Sequence, residues 1–178
     1  MMIAKYFLPT CYIKHYKDLD LNQLESRGIK IFIVDVDNTL ISHEVHELDN
    51  EAISFIQAIK KHHMIPVIVS NNVKERVSEV AKQGQCDYFS FALKPLKRKY
   101  KAILRKYNCK SSEVCVIGDQ LITDVLGGNR MKFITILQDP ISNKDNTSGK
   151  VTRFIETMIF NYLEKKNKWR KQQYYDNL

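Results

Sequence analysis

Ile31-Phe32-Ile33-Val34-Asp35-Val36-Asp37-Asn38-Thr39 is the stretch on which the reading of this chain turns. The apolar run 31–34 reads as a buried strand, and two carboxylates emerge at its carboxyl end. In open α/β sheets that edge is where ligands bind. Side chains two apart on an extended chain project to the same side, so Asp35 and Asp37 can act on one substrate. Two acids so close repel each other and any phosphate, so the site needs a cation or must retain a proton. The pattern points to metal-assisted phosphoryl chemistry, with one carboxylate as nucleophile and the other as proton carrier. Strand-end acids also cap turns and helices, so the string takes its meaning from elements downstream.

Working outward, alternating strand and helix patterns surround this run. A short helix over residues 18–27 ends at Gly28, and the first strand covers 29–34. Ala52, Ile53, Phe55, Ile56 and Ile59 predict a helix over 49–62, with Asp49 as its start signal. Ile65–Val69 is a second strand, with Pro66 near its beginning, where proline is tolerated. A helix over 73–83 stops at Gly84, a short strand follows at 88–92, and a basic helix spans 97–107. Residues 114–117 and 133–137 are further strands, separated by a short helical segment at 123–129. Residues 139–150 are a polar linker, and Val151, Phe154, Ile155, Met158, Ile159, Tyr162 and Leu163 form a helical stripe. These lengths predict an α/β fold, a single parallel sheet covered by helices on both faces. The chain is expected to be one domain over 1–178, with a core at about 29–137, a leader at 1–28 and a C-terminal helix at about 151–170.

Bulk properties narrow the setting. The 178 residues are enough for one sizeable core, and 44% apolar with 27% charged residues is ordinary for a globular protein. No apolar run approaches the ~18 residues of a membrane span, and Met1–Leu8, broken by Lys5, is too short for a secretory segment, so a cytoplasmic location is expected. Cys11, Cys86, Cys109 and Cys115 make no C-x-x-C pair and indicate neither zinc nor disulfides. The net charge of +8 favours anionic partners without choosing among them.

Three strands end in polar residues that can meet at one edge of such a sheet. The first ends in Asp35 and Asp37, the second in Ser70-Asn71-Asn72, and a later one in Gly118-Asp119, with Asp124 five residues on. Lys94-Pro95 lies between the last two. This arrangement resembles the haloacid dehalogenase (HAD) superfamily in its phosphatase branch. VDVDNT is similar to its first motif, Ser70 to its second, Lys94 to its third and GDQLITD to its fourth. Finer features, the leader FLPTCYIKHYKDLDL, the doublet Asn71-Asn72, LKPLKRKYKAILRK and GDQLITDVLGGNRMKFITIL, resemble subclass IIIA and the YqeG family, which is related to mitochondrial phosphatidylglycerophosphate phosphatases. One departure is the absence of a glycine near Met131, expected to affect only a turn.

The resemblance implies a Rossmann-like HAD core and a role for each matching residue. Asp35 would attack phosphorus and Asp37 would carry the proton. Ser70 and Lys94 would hold the phosphoryl group, with Thr39 and Asn71 also at the substrate. Mg²⁺ would be held by Asp35, the Asp37 carbonyl and Asp119, with Asp124 in support. An oxygen-only donor set suits that ion. HAD caps are insertions after the first motif or between the second and third. Here the first gap, Leu40–Leu48, has room only for a flap and the second for one helix and one strand, so a capless enzyme is expected. An open site suits a bulky substrate, with phosphatidylglycerophosphate the leading one and a soluble phosphate ester or phosphoprotein the alternative. Some capless relatives close their site by oligomerisation.

The flap residues His43-Glu44-Val45-His46-Glu47 do not have the H-E-x-x-H spacing of a zinc site and read as solvated. Two basic stretches, Lys94–Lys106 and Lys165–Lys171, permit a nucleic-acid or ribosome-binding module, but nothing resembles a known RNA motif and a pure binder needs no nucleophile. Peripheral contact with an anionic membrane is the other expectation. It rests on Ile3, Tyr6 and Phe7 beside Lys5, and on Trp169 among Lys165, Lys166, Lys168, Arg170 and Lys171.

Overall fold

The computed structural model describes residues 4–142, 147–166 and 168–178. Numbered in chain order, the strands are β1 (Cys11–Ile13), β2 (Ile31–Val34), β3 (Ile65–Val69), β4 (Asp87–Phe89), β5 (Val114–Gly118), β6 (Ile134–Gln138) and β7 (Tyr175–Asp176). The helices are α1 (Leu21–Ser26), α2 (Asn50–Lys61), α3 (Lys74–Gly84), α4 (Lys97–Lys106), α5 (Leu126–Met131) and α6 (Thr147–Lys165). The strands form one open sheet in the order β4-β3-β2-β5-β6-β1-β7. Every pairing is parallel except that of β7, which runs antiparallel to β1.

β2 shows why the sheet is covered on both sides. Ile31 and Ile33 project to one face and pack with Val67, Val69, Val114 and Val116 against Tyr100 and Ile103 of α4. Phe32 and Val34 project to the other, against Ala52, Phe55 and Ile56 of α2 and Val77 and Val80 of α3. The two-residue period of a strand therefore places alternate side chains in two separate cores. β2 pairs with β3 on one side and β5 on the other, with Ile31 level with both Ile65 and Val114. After β2 the chain moves out to β3 and β4, then crosses back to β5. This reversal opens a crevice at the carboxyl ends of β2, β3 and β5.

Local chemistry fixes the boundaries. Asp49 accepts a hydrogen bond from the Ala52 amide at 2.7 Å and starts α2. The helix expected over 18–27 is shorter, because Asp20 caps the Asn22 amide at 3.0 Å and α1 begins at Leu21, after a separate 3₁₀ turn at Tyr16–Asp18. β4 ends at Phe89 rather than Ala92, since Phe91 and Leu93 take positive φ (45° and 53°), outside the strand region. The segment expected as a helix over 123–129 begins with a widened π-type turn, Leu121–Val125, that runs into α5. Where a glycine was expected near Met131, Lys132 takes the left-handed conformation (φ 62°) and makes the turn.

Two parts of the chain differ from their sequence reading. The leader and the tail both enter the sheet, as β1 and β7, so the sheet is mostly rather than wholly parallel. They also share a third core, in which Trp169 is buried against Phe160 (ring centroids 4.4 Å apart) and Tyr12 (5.1 Å). Trp169 is therefore packed inside the protein and is not presented to lipid, and Phe7 packs against the same cluster. Ile3 lies outside the described residues. The stripe on the last helix only partly packs on the domain. Leu163 is buried and Ile159 and Phe160 pack beside it, but Phe154, Ile155, Met158 and Tyr162 are exposed.

Candidate active site

The crevice holds a cleft of about 340 Å³ lined by Asp35, Asp37, Asn38, His43, Ser70, Asn71, Asn72, Val73, Lys94, Gln120, Ile122, Thr123 and Thr152. A larger depression, about 660 Å³, lies at the opposite edge among Met64, Ile65, Pro66 and Asp87. It gathers no carboxylate cluster, so the chemistry sits in the smaller cleft.

At the cleft floor Lys94 Nζ donates to Asp35 Oδ1 and Asp124 Oδ1, each at 2.6 Å, with all three side chains buried. Asn71 holds the backbone around this lysine: its Oδ1 accepts from the Lys94 amide at 2.7 Å and its Nδ2 donates to the Lys94 carbonyl at 3.2 Å. Leu93, at positive φ, and the cis Lys94-Pro95 peptide complete the turn that delivers Lys94. Ser70 lies at the end of β3, where its hydroxyl oxygen accepts from the Asn72 amide at 3.1 Å. Its hydroxyl proton remains to be donated elsewhere.

Asp35, Asp119 and Asp124 form an oxygen cluster with carboxylate oxygens within 4.8 Å of one another, all buried. The close approach of Asp124 depends on Gly118: a Cβ there would lie 2.2 Å from the Asp124 carboxyl carbon. The Thr39 hydroxyl is within reach of Asp35 Oδ2 (3.2 Å) and Asp119 Oδ1 (3.3 Å), so Thr39 sits among the acids and not on the cleft wall. Arg153 of α6 pairs with Asp119, donating to its carboxylate and, at 2.8 Å, to its carbonyl. Glu156, one turn later, accepts from the Ile122 amide at 3.0 Å.

Asp37 is held apart from this cluster. Arg76 Nε and Nη2 donate to its Oδ1 at 2.9 and 2.7 Å, and Asn72 Nδ2 donates to its Oδ2 at 3.1 Å. The same guanidinium donates to the flap carbonyls of Val45 (2.7 Å) and Ser42 (3.2 Å) and lies 3.3 Å from His46 Nδ1. His43, expected as a solvated flap residue, lines the cleft with Nδ1 3.5 Å from Asp37.

Burial dominates the proton affinities. It pushes the Asp35 carboxyl up to about 8, with Lys94 opposing the rise and Asp124, Asp119 and Asp37 adding to it. Burial likewise raises Asp119 to about 7 against the pull of Arg153, and Glu156 to about 7. For Lys94, burial disfavours the charge, but Asp124 and Asp35 more than offset it and hold the amine protonated. Five carboxylates, Asp35, Asp37, Asp119, Asp124 and Glu156, thus meet three cationic side chains, Lys94, Arg76 and Arg153. The shortfall of positive charge and the all-oxygen donor set fit a divalent hard cation.

Sequence reasoning named Asp35, Asp37, Thr39, Ser70, Asn71, Lys94, Asp119 and Asp124, and the structure brings all eight to this one sheet edge. It missed Arg76, Arg153 and Glu156. Arg76 carried a signal, being a charged residue on the apolar face of α3 beside Val77 and Val80. Nothing in the sequence ties Arg153 to Asp119.

Residues 1–142 match the family described as Mitochondrial PGP phosphatase. The chain belongs to this family, and with it to the HAD-type phosphatases. It is 33% identical over 165 residues to the "Probable phosphatase YqeG" of Bacillus subtilis (strain 168), a match covering 93% of this chain and 96% of that one. It is 24% identical over 151 residues to "Phosphatidylglycerophosphate phosphatase 1, chloroplastic/mitochondrial" of Arabidopsis thaliana, covering 79% of this chain and 43% of the plant protein. Among solved structures, an uncharacterized protein from Listeria monocytogenes serotype 4b superposes with a TM-score of 0.54 at 16% identity, over 66% of this chain and 85% of that one. The 3-deoxy-D-manno-octulosonate 8-phosphate phosphatase from Moraxella catarrhalis, in complex with magnesium ion, phosphate ion and KDO, does so with a TM-score of 0.50 at 19% identity, over 80% and 92%. At these identities the solved structures speak for the HAD fold alone.

Proposed function

We propose that this phosphatase hydrolyses phosphatidylglycerophosphate through an aspartyl-phosphate on Asp35, with Mg²⁺ as its metal. The observation that carries the mechanism is the division of labour between two acids two residues apart. Asp35 lies buried against a protonated lysine, and Asp37 lies at the open side of the cleft, held by Arg76 and Asn72.

In the first step an Asp35 carboxylate oxygen forms a bond to phosphorus as the bond to the glycerol oxygen breaks, and Asp37 gives that oxygen its proton. In the second, Asp37 takes a proton from water, whose oxygen adds to phosphorus and releases inorganic phosphate and free Asp35. Ser70, Asn71 and Lys94 line the cleft; in this reading Ser70 and Asn71 meet the phosphoryl group and Lys94 balances its charge. Asp35, Asp119 and Asp124, with the Asp37 carbonyl, would hold Mg²⁺, which supplies positive charge next to the phosphoryl oxygens. Because positioning and charge carry most of phosphoryl transfer, the residues that fix Lys94 and Asp37 matter as much as the nucleophile.

The lipid substrate is supported by family membership, by the name of the plant relative and by the open cleft. Between Val34 and Asn50 the described chain makes only turns and an isolated bridge, and between Val69 and Asp87 only α3, so no inserted domain roofs the site. No helix among the described residues is long and apolar enough to cross a membrane. In this reading the enzyme works from the aqueous side of the bilayer.

The test is phosphate release by purified protein with Mg²⁺ from phosphatidylglycerophosphate in mixed micelles, from soluble phosphate esters and from a phosphopeptide. Phosphatidylglycerophosphate should give the highest kcat/KM. A higher value for a soluble ester would reject the lipid assignment, and no release from any substrate would reject the chemistry.

A further inference from the structure

We infer that the outward face of α6 and the apolar loop at Phe91–Leu96 form a docking surface for an anionic lipid bilayer, one patch on each wall of the catalytic cleft. The inference rests on the lipid reading of the site and names the surface that brings it to its substrate.

Helix α6 is apolar on two opposite faces. Leu163 with Ile159 and Phe160 packs on the domain, while Phe154 (69% exposed), Met158 (61%), Tyr162 (52%) and Ile155 (43%) project outward at spacings of three and four residues. Arg153, Thr157, Asn161 and Glu164 supply the polar side of the helix, so the outward apolar stripe is a second apolar face that the described domain does not cover. On the other wall, Phe91 (53%), Leu93 (60%) and Leu96 (53%) are also exposed, and Phe91 and Leu93 adopt positive φ. This backbone is the turn that delivers Lys94, and it leaves the three apolar side chains in solvent. Both patches adjoin the site: Thr152, one turn before Ile155 on the same side of α6, lines the cleft, and so does Val73. The Phe91 amide donates to the Asn72 carbonyl next to Val73. Exposed apolar groups gathered at a cleft mouth mark an interaction surface.

Charge selects the occupant. Lys165 and Lys166 follow Tyr162 by one turn and are exposed. Lys97, Arg98 and Lys99 follow Leu96, and α4, KRKYKAILRK, contains no acid. Apolar side chains edged by lysines and arginines suit the boundary between acyl chains and anionic headgroups. A symmetric contact with a second copy would set these like charges against each other. A nucleic acid would leave the apolar groups uncovered.

The test is sedimentation of the full chain with vesicles of phosphatidylcholine alone and with added phosphatidylglycerol. Neither lipid is a phosphomonoester, so docking is read without turnover. Wild-type protein should pellet only with the anionic vesicles and be released by salt. The double substitution Phe154→Ser/Met158→Ser should weaken binding about tenfold or more while leaving hydrolysis of p-nitrophenyl phosphate unchanged. Lys165→Glu/Lys166→Glu, at exposed positions outside the packed face, should weaken binding as well and decides the matter should the first variant fold poorly. Wild-type protein left in the supernatant with anionic vesicles, or both variants binding as wild type, would overturn the inference. So would a dimer dissociated by the Phe154/Met158 substitutions in protein that ignores vesicles. Vesicle binding without hydrolysis of phosphatidylglycerophosphate would leave the surface standing and reject only the substrate.

Discussion

Replacing Arg76 with alanine should separate the two acids of the site in a single measurement. The nearly buried guanidinium makes two contacts with Asp37 Oδ1, at 2.9 and 2.7 Å, and bonds to the flap carbonyls of Val45 and Ser42. Removing one partner of a fully buried ion pair costs about 3–5 kcal/mol, and of an exposed pair about 0–1. Asp37 is partly open to solvent and the flap carbonyls lie near the surface, so Arg76→Ala should cost about 2 kcal/mol in denaturant unfolding. The catalytic effect should be specific. Asp37 without its clamp protonates the leaving oxygen less well, and a positioned general acid contributes about 10²–10⁴ in rate. For an alkyl phosphate, whose leaving oxygen needs a proton, kcat/KM should fall about tenfold to hundredfold. For p-nitrophenyl phosphate, whose leaving group departs without one, kcat/KM should change far less, although kcat, which includes the water attack that Asp37 assists, should fall for both. Arg76→Lys should regain part of the stability, since one ammonium cannot reach both Asp37 and the flap. Equal losses of kcat/KM on the two substrates, or no loss on either, would refute the role assigned to the Arg76–Asp37 pair.

Two further outcomes follow from burial. Burial raises Asp35 to about 8 and Asp119 and Glu156 to about 7, well above the carboxylate range of an unfolded chain. Between those ranges the folded state binds more protons, so this contribution to stability is fully present below the unfolded pKa and is lost as pH rises through the folded values. The Tm of chelator-treated protein should therefore fall progressively from about pH 4 to about pH 8, and Mg²⁺ should raise it more at the upper end; a flat profile indifferent to Mg²⁺ would contradict this. Trp169→Ala should cost about 3 kcal/mol, because the indole is buried between Phe160 and Tyr12, and a loss below about 1 kcal/mol would show that the tail is not anchored there.

The parts of the fold legible in the sequence are those with a strong period or a long apolar run. Ile65–Val69 was read to the residue, and the helix over 49–62 differs from α2 by one residue at each end. β1 and β7, of three and two residues, are too short to show alternation, and their pairing joins the two ends of the chain. The four motif segments announced the site because each carries its chemistry in consecutive residues after a strand. Arg76, Arg153 and Glu156 escaped because their partners lie 39, 34 and 34 positions away, in contacts that only the packing of α3 and α6 creates. The membrane reading shows the same limit. Composition drew attention to Trp169 and the leader, but packing buried the tryptophan and left Phe154, Met158 and Tyr162 exposed instead.

The central claim is that Asp35 carries the phosphoryl group during turnover. Rapid quenching of the enzyme with a phosphomonoester and Mg²⁺, followed by borohydride reduction, converts an aspartyl-phosphate to homoserine that peptide mass spectrometry can locate. Homoserine should appear at position 35 in wild-type protein and nowhere in Asp35→Asn, which should also be inactive while retaining its fold. Homoserine at another aspartate, or Asp35→Asn turning over within a few-fold of wild type, would contradict the account.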